Sequence, residues 1–219
     1  MPDRFGAVAA AVCAAGVVAG VVALGAANPP TPLPVSTDRL GPDAGEQVAD
    51  YLARAGDTLD TGDGADPRWG LVSFDHEVTA AEADALTADV RVSQLWFRVP
   101  IDRVQTPIVP VGVAGAESIA RASGLAAVQL RGTTGEWDRQ AQVDAVSALR
   151  LGQNCACVVA ATVRGPLSEV AELEGVDGVR VVEVLPSDAV FGRFAVRPLL
   201  PEQTDAVTPG PDDGEVPSR

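Results

Sequence analysis

Two closely spaced cysteines, Cys155 and Cys157, are the side chains best suited to redox chemistry. In an oxidising compartment such a pair can act as a redox dithiol. The apolar run around them predicts a strand over residues 155–163, which would hold the two Cα atoms about 6.6 Å apart, near the upper limit for a disulfide. Both side chains would then share a face with Val159 and Val163, where cysteine packs as a small hydrophobe. We therefore expect buried free thiols, with a strained or bulged disulfide and a redox pair as the open alternatives.

His76 lies between two acids, Asp75 and Glu77, directly after a predicted strand. A carboxylate beside an imidazole can orient a general acid–base, and the two groups together can bind a metal ion. Adjacent residues of an extended chain point in opposite directions, so this spacing alone does not build a site. The nearest hydroxyl, Ser73, lacks the GxSxG context of an activated serine. We expect a loop histidine near a helix N-terminus.

The candidate site residues are thus Asp75, His76, Cys155 and Cys157, and the sequence predicts no cofactor and no metal. All sixteen basic residues are arginine, which excludes a lysine Schiff base and a P-loop. One histidine and two cysteines outside the predicted membrane span are too few for a Cys₄, Cys₂His₂ or His₃ zinc site. With thirty acids the net charge is −14, so we expect no nucleic-acid partner.

The elements that position these residues follow from the hydrophobic periodicity after residue 69. Strands are predicted over residues 69–75, 91–101, 155–163 and 179–185, and residues 106–113 extend the second strand or pair with it. Helices are predicted over residues 79–90, 117–131 and 167–173, and another begins at a capping box of Thr133 and Glu136 and ends at Gly152. The order is β-α-β, a helical insertion over residues 102–151, and β-α-β again. This order predicts an α+β domain with a ferredoxin-like sandwich, spanning residues 42–197.

The N-terminal region predicts a membrane anchor. Residues 5–27 contain no charged side chain, and a run of this length is sufficient for a transmembrane helix. The start of the chain is typical of a signal-anchor, which would place the C-terminal part outside the cytoplasm. Gly25 and Ala27 also suit a signal-peptide cleavage site, and cleavage near Ala27 would give a secreted protein instead. Gly16 and Gly20 have the GxxxG spacing of closely packed membrane helices, which indicates a homodimer as one option.

The segments that flank the domain are predicted from their composition. Residues 28–41 are rich in proline and predict an extended stalk. Residues 42–55 predict a helix that ends at Gly56. Residues 198–219 lose all periodicity and fill with proline, glycine and acids, which predicts a disordered acidic tail.

Composition and three short blocks resemble those of membrane-anchored proteins of high-GC actinobacteria. The chain lacks lysine and is rich in alanine, valine and arginine. The blocks begin at Cys155 (CACVVAA), Val179 (VRVVEV) and Arg197 (RPLLPE), within the last third of the chain. No activity is assigned to those proteins, so the resemblance implies a location at the cell membrane and no catalytic residues.

The function predicted from these features is that of a single-pass membrane protein with a non-catalytic interaction or sensory domain outside the cytoplasm, which binds a protein partner. The expected contact surface is the insertion over residues 102–151, with the sheet edge at residues 107–113 as the alternative. Two other classes stay open. One is an exported, hydrolase-like enzyme centred near His76, and the other is a thiol redox protein that uses Cys155 and Cys157.

Overall fold

The computed structural model describes residues 17–18, 38–87, 90–131 and 138–218. The chain divides into two units, Met1–Ser36 and Thr37–Arg219. In the first unit only Val17 and Val18 are described, and both are helical. The rest of the predicted span 5–27, with Gly16 and Gly20, and residues 28–37 of the predicted stalk lie outside the described residues. Within the described residues, no helix is long and apolar enough to cross a membrane.

The second unit mixes strands and helices, which confirms the predicted α+β class. Its strands are β1 (Arg39–Leu40), β2 (Pro67–Val78), β3 (Arg91–Phe97), β4 (Val109–Gly112), β5 (Val158–Pro166), β6 (Val179–Val184) and β7 (Ala195–Val196). Its helices are α1 (Val48–Leu59), α2 (Ala80–Leu86), α3 (Ala116–Arg131), α4 (Arg139–Gly152) and α5 (Leu167–Glu172), the last followed by a 3₁₀ turn over Leu173–Gly175.

Five strands form one antiparallel sheet in the order β4-β3-β5-β2-β6. Its central strand β5 places Ala160 opposite Ser73 of β2 on one side and Trp96 of β3 on the other. Nearly every side chain of β5 is buried, because both faces of the sheet are covered. A strand buried on both faces has a continuous apolar sequence rather than an alternating one, which explains the run Val-Val-Ala-Ala.

One face of the sheet packs against helices α2 to α5 and forms the main core. Val72, Phe74 and Val182 of the sheet join Ile119 of α3 and Val143 of α4 in this cluster. Helix α2 begins at the capping box predicted at Thr79: the backbone N–H of Glu82 donates to the Thr79 hydroxyl oxygen at 3.2 Å, and the Thr79 N–H donates to the Glu82 carboxylate at 2.7 Å. The short helix α2 therefore begins where the sequence indicates.

The opposite face is covered by the two ends of the unit. Strands β1 and β7 pair in parallel and form a separate two-stranded sheet. Helix α1 lies against β6, with Tyr51 fully buried against Val181. The folded unit therefore includes residues 38–41, which the sequence assigned to the stalk. Helix α1 also begins later than predicted, at Val48 rather than at residue 42.

The C-terminal residues differ from the prediction of a disordered tail. Leu199 and Val207 are buried beside α1, and the Val207 N–H donates to the Glu46 carbonyl at 2.9 Å. Farther on, Asp213 pairs with Arg103 and Asp212 with Arg139. Isolated apolar residues that fill a groove, and acids that meet arginines far away in sequence, leave no periodic signal. The composition alone therefore indicated disorder.

Candidate functional site

Asp75 and His76 lie at the exposed end of β2, and the structure brings them together. The imidazole Nδ1 contacts the Asp75 carboxylate, although the two residues are adjacent on a strand. The prediction that adjacency would separate the two side chains is therefore wrong, because β2 is irregular from Ser73 onward. The His76 side chain is 65% exposed, and the imidazole lies outside the neighbouring cleft lined by Glu77. An exposed Asp–His pair lacks the exclusion of water that acid–base catalysis uses.

Cys155 and Cys157 form a disulfide, which corrects the expectation of free thiols. The strand begins only at Val158, so the two cysteines lie in the turn after α4, with Cα atoms 5.4 Å apart. That distance is within the usual range for a disulfide, whereas the spacing on a regular strand would not be favourable. Cys157 is buried in the main core and Cys155 packs partly buried against it. The bridge therefore closes the turn that joins α4 to the central strand.

A cleft of about 350 Å³ lies beside this turn, between residues 98–105 and the C-terminal segment. The Cys157 carbonyl accepts a hydrogen bond from the Arg98 N–H at 2.8 Å, and the Arg98 side chain lines the cleft. Its guanidinium pairs with Glu202 at 2.7 Å. The described residues lining the cleft are Glu77, Arg98, Pro100, Ile101, Asp102, Arg103, Val104, Gln105, Glu202, Gly210 and Pro211. None of these residues carries a thiol, a hydroxyl or an imidazole, so the possible nucleophiles among them are the carboxylates of Glu77, Asp102 and Glu202.

The C-terminal segment is fixed across this cleft by hydrogen bonds and ion pairs. Asp212 accepts the Gln105 N–H at 3.1 Å and the Arg139 guanidinium at 3.2 Å. These bonds hold the pKa of Asp212 below its usual value, the first of them contributing most. The Gln105 side chain also donates to the Gly210 carbonyl at 2.7 Å. The segment therefore forms one wall of the cleft.

A buried charge cluster, which is not among the predictions from the sequence, lies on the face of the sheet that α1 covers. Glu183 of β6 is 3% exposed and accepts three donors: the Gly41 N–H, the Tyr51 hydroxyl at 3.3 Å and Arg54 Nη1 at 2.7 Å. Arg54 also donates one hydrogen bond to each carboxylate oxygen of Glu46, both at 3.1 Å. The cluster therefore connects β6, α1 and the segment after β1.

Three groups of this cluster have raised pKa values, for different physical reasons. Burial raises the pKa of Glu183, although Arg54 and the Gly41 N–H oppose the change. Burial likewise raises the pKa of Tyr51, and the hydrogen bond to Glu46 raises that of Arg54. Arg54 is 41% exposed and keeps much of its hydration, whereas Glu183 loses nearly all of it. With all its donors in place, Glu183 is held as a structural carboxylate.

The predicted contact surface on the insertion carries exposed apolar side chains, which we call the hairpin patch: Leu125 and Val128 of α3 and Leu149 of α4. They are 46%, 61% and 39% exposed. Leu125 and Val128 are three residues apart and share a helix face. Arg131, one turn farther on, lines a shallow pocket of about 340 Å³ together with Leu149. The patch therefore spans both helices of the insertion.

The alternative contact surface, the sheet edge at β4, is less open. Pro110 lies within β4 and has no N–H to offer an added strand. The Gln129 side-chain amide of α3 donates to the Pro110 carbonyl at 3.4 Å. An edge with a missing donor and a covered acceptor is protected against strand addition. The hairpin patch is the more accessible of the two predicted surfaces.

Within the residues that the structure describes, no three His, Cys, Asp or Glu side chains group closely enough to hold a metal ion. The acidic loop after α1 is an example: Asp63 accepts the Ala65 N–H at 3.0 Å, and Asp66 faces Arg68 at 3.7 Å. Its carboxylates therefore serve the turn and a neighbouring arginine.

Glu183 is the residue for which a sequence signal was available. In the run Val179-Arg-Val-Val-Glu-Val, Glu183 has the same parity as Val181, so a strand turns both toward one face. A charged residue on an apolar face indicates a buried partner.

Comparisons of the chain with protein-family models, with curated proteins and with solved structures found no match.

Proposed function

We propose that this chain is a single-pass membrane protein whose folded unit lies outside the cytoplasm and binds a protein partner through the hairpin patch. The observation that carries the proposal is the exposure of three large aliphatic side chains on the inserted helices. The buried residues of the same helices, such as Ile119 and Val143, already fill the core. Exposed apolar side chains that cluster on one surface are typical of an interaction site.

The location is supported by the disulfide between Cys155 and Cys157. Such bonds form and persist outside the cytoplasm and are rare within it. A three-residue loop gains only about 1.6 kcal/mol from the entropy of chain closure, so the bridge acts mainly on local geometry. We interpret it as a clip in an oxidising compartment rather than a redox centre. The C-terminal end of α4 also supplies the wrong dipole for stabilising a thiolate.

We also propose that the core is ferredoxin-like, with one added edge strand. The arrangement of β3, β5, β2 and β6, with α2 and α5 as the two connecting helices, supports this assignment. The insertion then adds β4, α3 and α4 between the two β-α-β halves. On this view the hairpin patch belongs to the part of the chain that is additional to the basic fold, where specific functions tend to reside.

Photocrosslinking tests the partner surface. A photoreactive amino acid replaces Val128 in the full chain in its native membranes, and a control chain carries it at Glu169, which is exposed on α5. We expect one discrete protein adduct from position 128 and none from position 169. Leu149→Glu should abolish the adduct and His76→Ala should leave it intact. Equal labelling from both positions, or loss with His76→Ala in a folded chain, would refute the assignment.

Intact mass of the chain from native membranes tests the anchor. Retention of residues 1–27 together with resistance to alkaline carbonate is the expected result. Loss of that segment would make the protein secreted and would end the single-pass proposal.

A further inference from the structure

A second exposed apolar feature lies in the turn between β6 and β7, on the opposite face of the sheet from the helices of the insertion. Val190 and Phe191 form its apex and are 50% and 46% exposed. The turn is closed by backbone hydrogen bonds, from the Ala189 N–H to the Pro186 carbonyl at 3.1 Å and from the Arg193 N–H to the Val190 carbonyl at 3.0 Å. The apex is therefore a defined turn.

Aromatic packing fixes this apex to the sheet. The Phe191 ring lies 4.9 Å from Trp69, and the Phe194 ring lies 5.9 Å from Trp69, measured between ring centroids. Trp69 is 8% exposed and belongs to a core cluster with Leu71. The two phenylalanines thus cover the tryptophan, and half of Phe191 remains in solvent. A rigid, outward-facing Val-Phe pair needs little ordering to insert into an apolar medium.

Three arginines lie in the turn or on the strands next to it, although the chain as a whole is strongly acidic. The Arg164 guanidinium lies over the Trp69 ring, 5.1 Å from its centroid. Arg91 is directly opposite Arg164 in the β3–β5 register, and Arg193 belongs to the turn itself. All three are exposed. Within the turn Asp188 balances the charge of Arg193, so the further positive charge comes from Arg91 and Arg164 on the neighbouring strands.

The apex also lies where the chain enters the folded unit. The Ala195 N–H, just after the turn, donates to the Asp38 carbonyl at 3.1 Å, and β7 continues beside β1. Residues 28–37 alone separate Asp38 from the predicted span 5–27. Ten residues reach at most about 35 Å when fully extended. A membrane anchor at residues 5–27 would therefore keep Asp38 within about that distance of the lipid surface, without fixing which side of the unit faces it.

We propose that the Val190–Phe191 apex, flanked by Arg91, Arg164 and Arg193, docks onto the surface of an anionic lipid bilayer. The apolar pair enters the boundary between headgroups and acyl chains, and the arginines meet lipid phosphates. The proposal rests on the membrane anchor of the proposed function. It gives the domain a fixed side toward the membrane, which the anchor alone would not.

Spin labelling of the full chain in vesicles tests the docking. A nitroxide is attached at Val190→Cys in a Cys13→Ser background without reductant, so that the disulfide stays closed. The matched control is Val128→Cys, an equally small and exposed aliphatic position on α3. Vesicles of phosphatidylcholine alone are compared with vesicles containing about 30% phosphatidylglycerol, a content that gives a negative surface potential.

In anionic vesicles, we expect label 190 to be reached by oxygen and shielded from a water-soluble nickel chelate, while label 128 stays open to the chelate. Arg193→Gln should lower the equilibrium constant between docked and undocked domain roughly fivefold, which is the factor that one basic residue near an anionic surface contributes. Equal chelate access at both labels would overturn the proposal. The proposal would also be overturned if label 190 were shielded from the chelate as strongly in neutral vesicles as in anionic ones. Shielding of label 190 from both oxygen and the chelate would overturn it too, because that would indicate a protein cover such as a second copy. Carbonate extraction of the same samples reports on the anchor separately, so a failed anchor and a failed docking site are distinguishable.

Discussion

The charge cluster around Glu183 gives the prediction that follows most directly from the geometry. Arg54→Gln removes the ion pair to Glu183, at 2.7 Å, and the bidentate ion pair with Glu46. Breaking a buried pair from one side costs about 3–5 kcal/mol. Arg54 is 41% exposed and water replaces part of what it loses, so we expect a decrease of about 3 kcal/mol in the free energy of unfolding near neutral pH. For a unit of this size that lowers the Tm by roughly 6–12 °C.

The loss in free energy of unfolding depends on pH, and the burial of Glu183 determines whether it is larger in acid or near neutral pH. The pKa of Glu183 in the folded chain lies above its ordinary value. The stability contributed by such a group is fully present below the ordinary pKa and is lost as the pH rises through the folded-state pKa. Arg54 is one of the groups that hold this pKa down, so Arg54→Gln raises it further. The variant should therefore lose more stability at about pH 7.5 than at about pH 4, where Glu183 is largely protonated.

Urea unfolding of the full chain in a mild detergent, followed by tryptophan fluorescence at both pH values, measures this difference. Arg121→Gln is the matched control, because its pair with Glu117 at 2.9 Å is exposed on both sides. That change should cost no more than about 0.5 kcal/mol at either pH. Equal losses for the two variants, or a larger loss for Arg54→Gln in acid, would refute the interpretation of Glu183 as a buried carboxylate held by Arg54.

Three further outcomes are expected. Alkylation of the unfolded chain without reductant should leave Cys155 and Cys157 unmodified, and prior reduction should add two labels by intact mass; labelling before reduction would mean free thiols. Leu199→Ala should lower the free energy of unfolding by about 2–5 kcal/mol in urea titrations, whereas a disordered tail would give no change. Gly41→Ala should destabilise the unit by more than about 2 kcal/mol, because φ is +100° there and a Cβ atom would lie 1.7 Å from the Arg197 carbonyl oxygen; a Tm within about 2 °C of the parent would contradict this.

The elements visible in the sequence are those with local signals. A boundary or an apolar pattern is encoded within a few residues at three places: the capping box at Thr79, Gly152 at the C-terminal end of α4, and the apolar run of β5. Strands β1 and β7 have two residues each, and such short strands carry no period. Their pairing depends on chain ends about 155 residues apart, which no local pattern records.

The site residues illustrate the same limit. The apolar run predicts a strand that includes Cys155 and Cys157, whereas in the structure these residues lie in the turn between α4 and β5. The contact between Asp75 and His76 depends on the irregular end of β2, which alternation rules do not describe. Leu125 and Val128 lie within a helix that was predicted, but their exposure depends on which side of α3 the sheet and α4 occupy.

The pairing of β1 with β7 has a mechanical consequence. Tension applied to the chain ahead of Asp38 reaches the folded unit at β1, and the bonds it loads there include the backbone hydrogen bonds from the Ala195 N–H to the Asp38 carbonyl and from the Arg197 N–H to the Leu40 carbonyl. The strands are parallel, so the N-terminal end of β1 and the C-terminal end of β7 lie at opposite ends of the pair. A pull between these two ends loads the hydrogen bonds of the pair together in shear instead of opening them one at a time. The β1–β7 pair is therefore oriented so that a force on the N-terminal connection is resisted in shear, which is the more resistant of the two loading geometries.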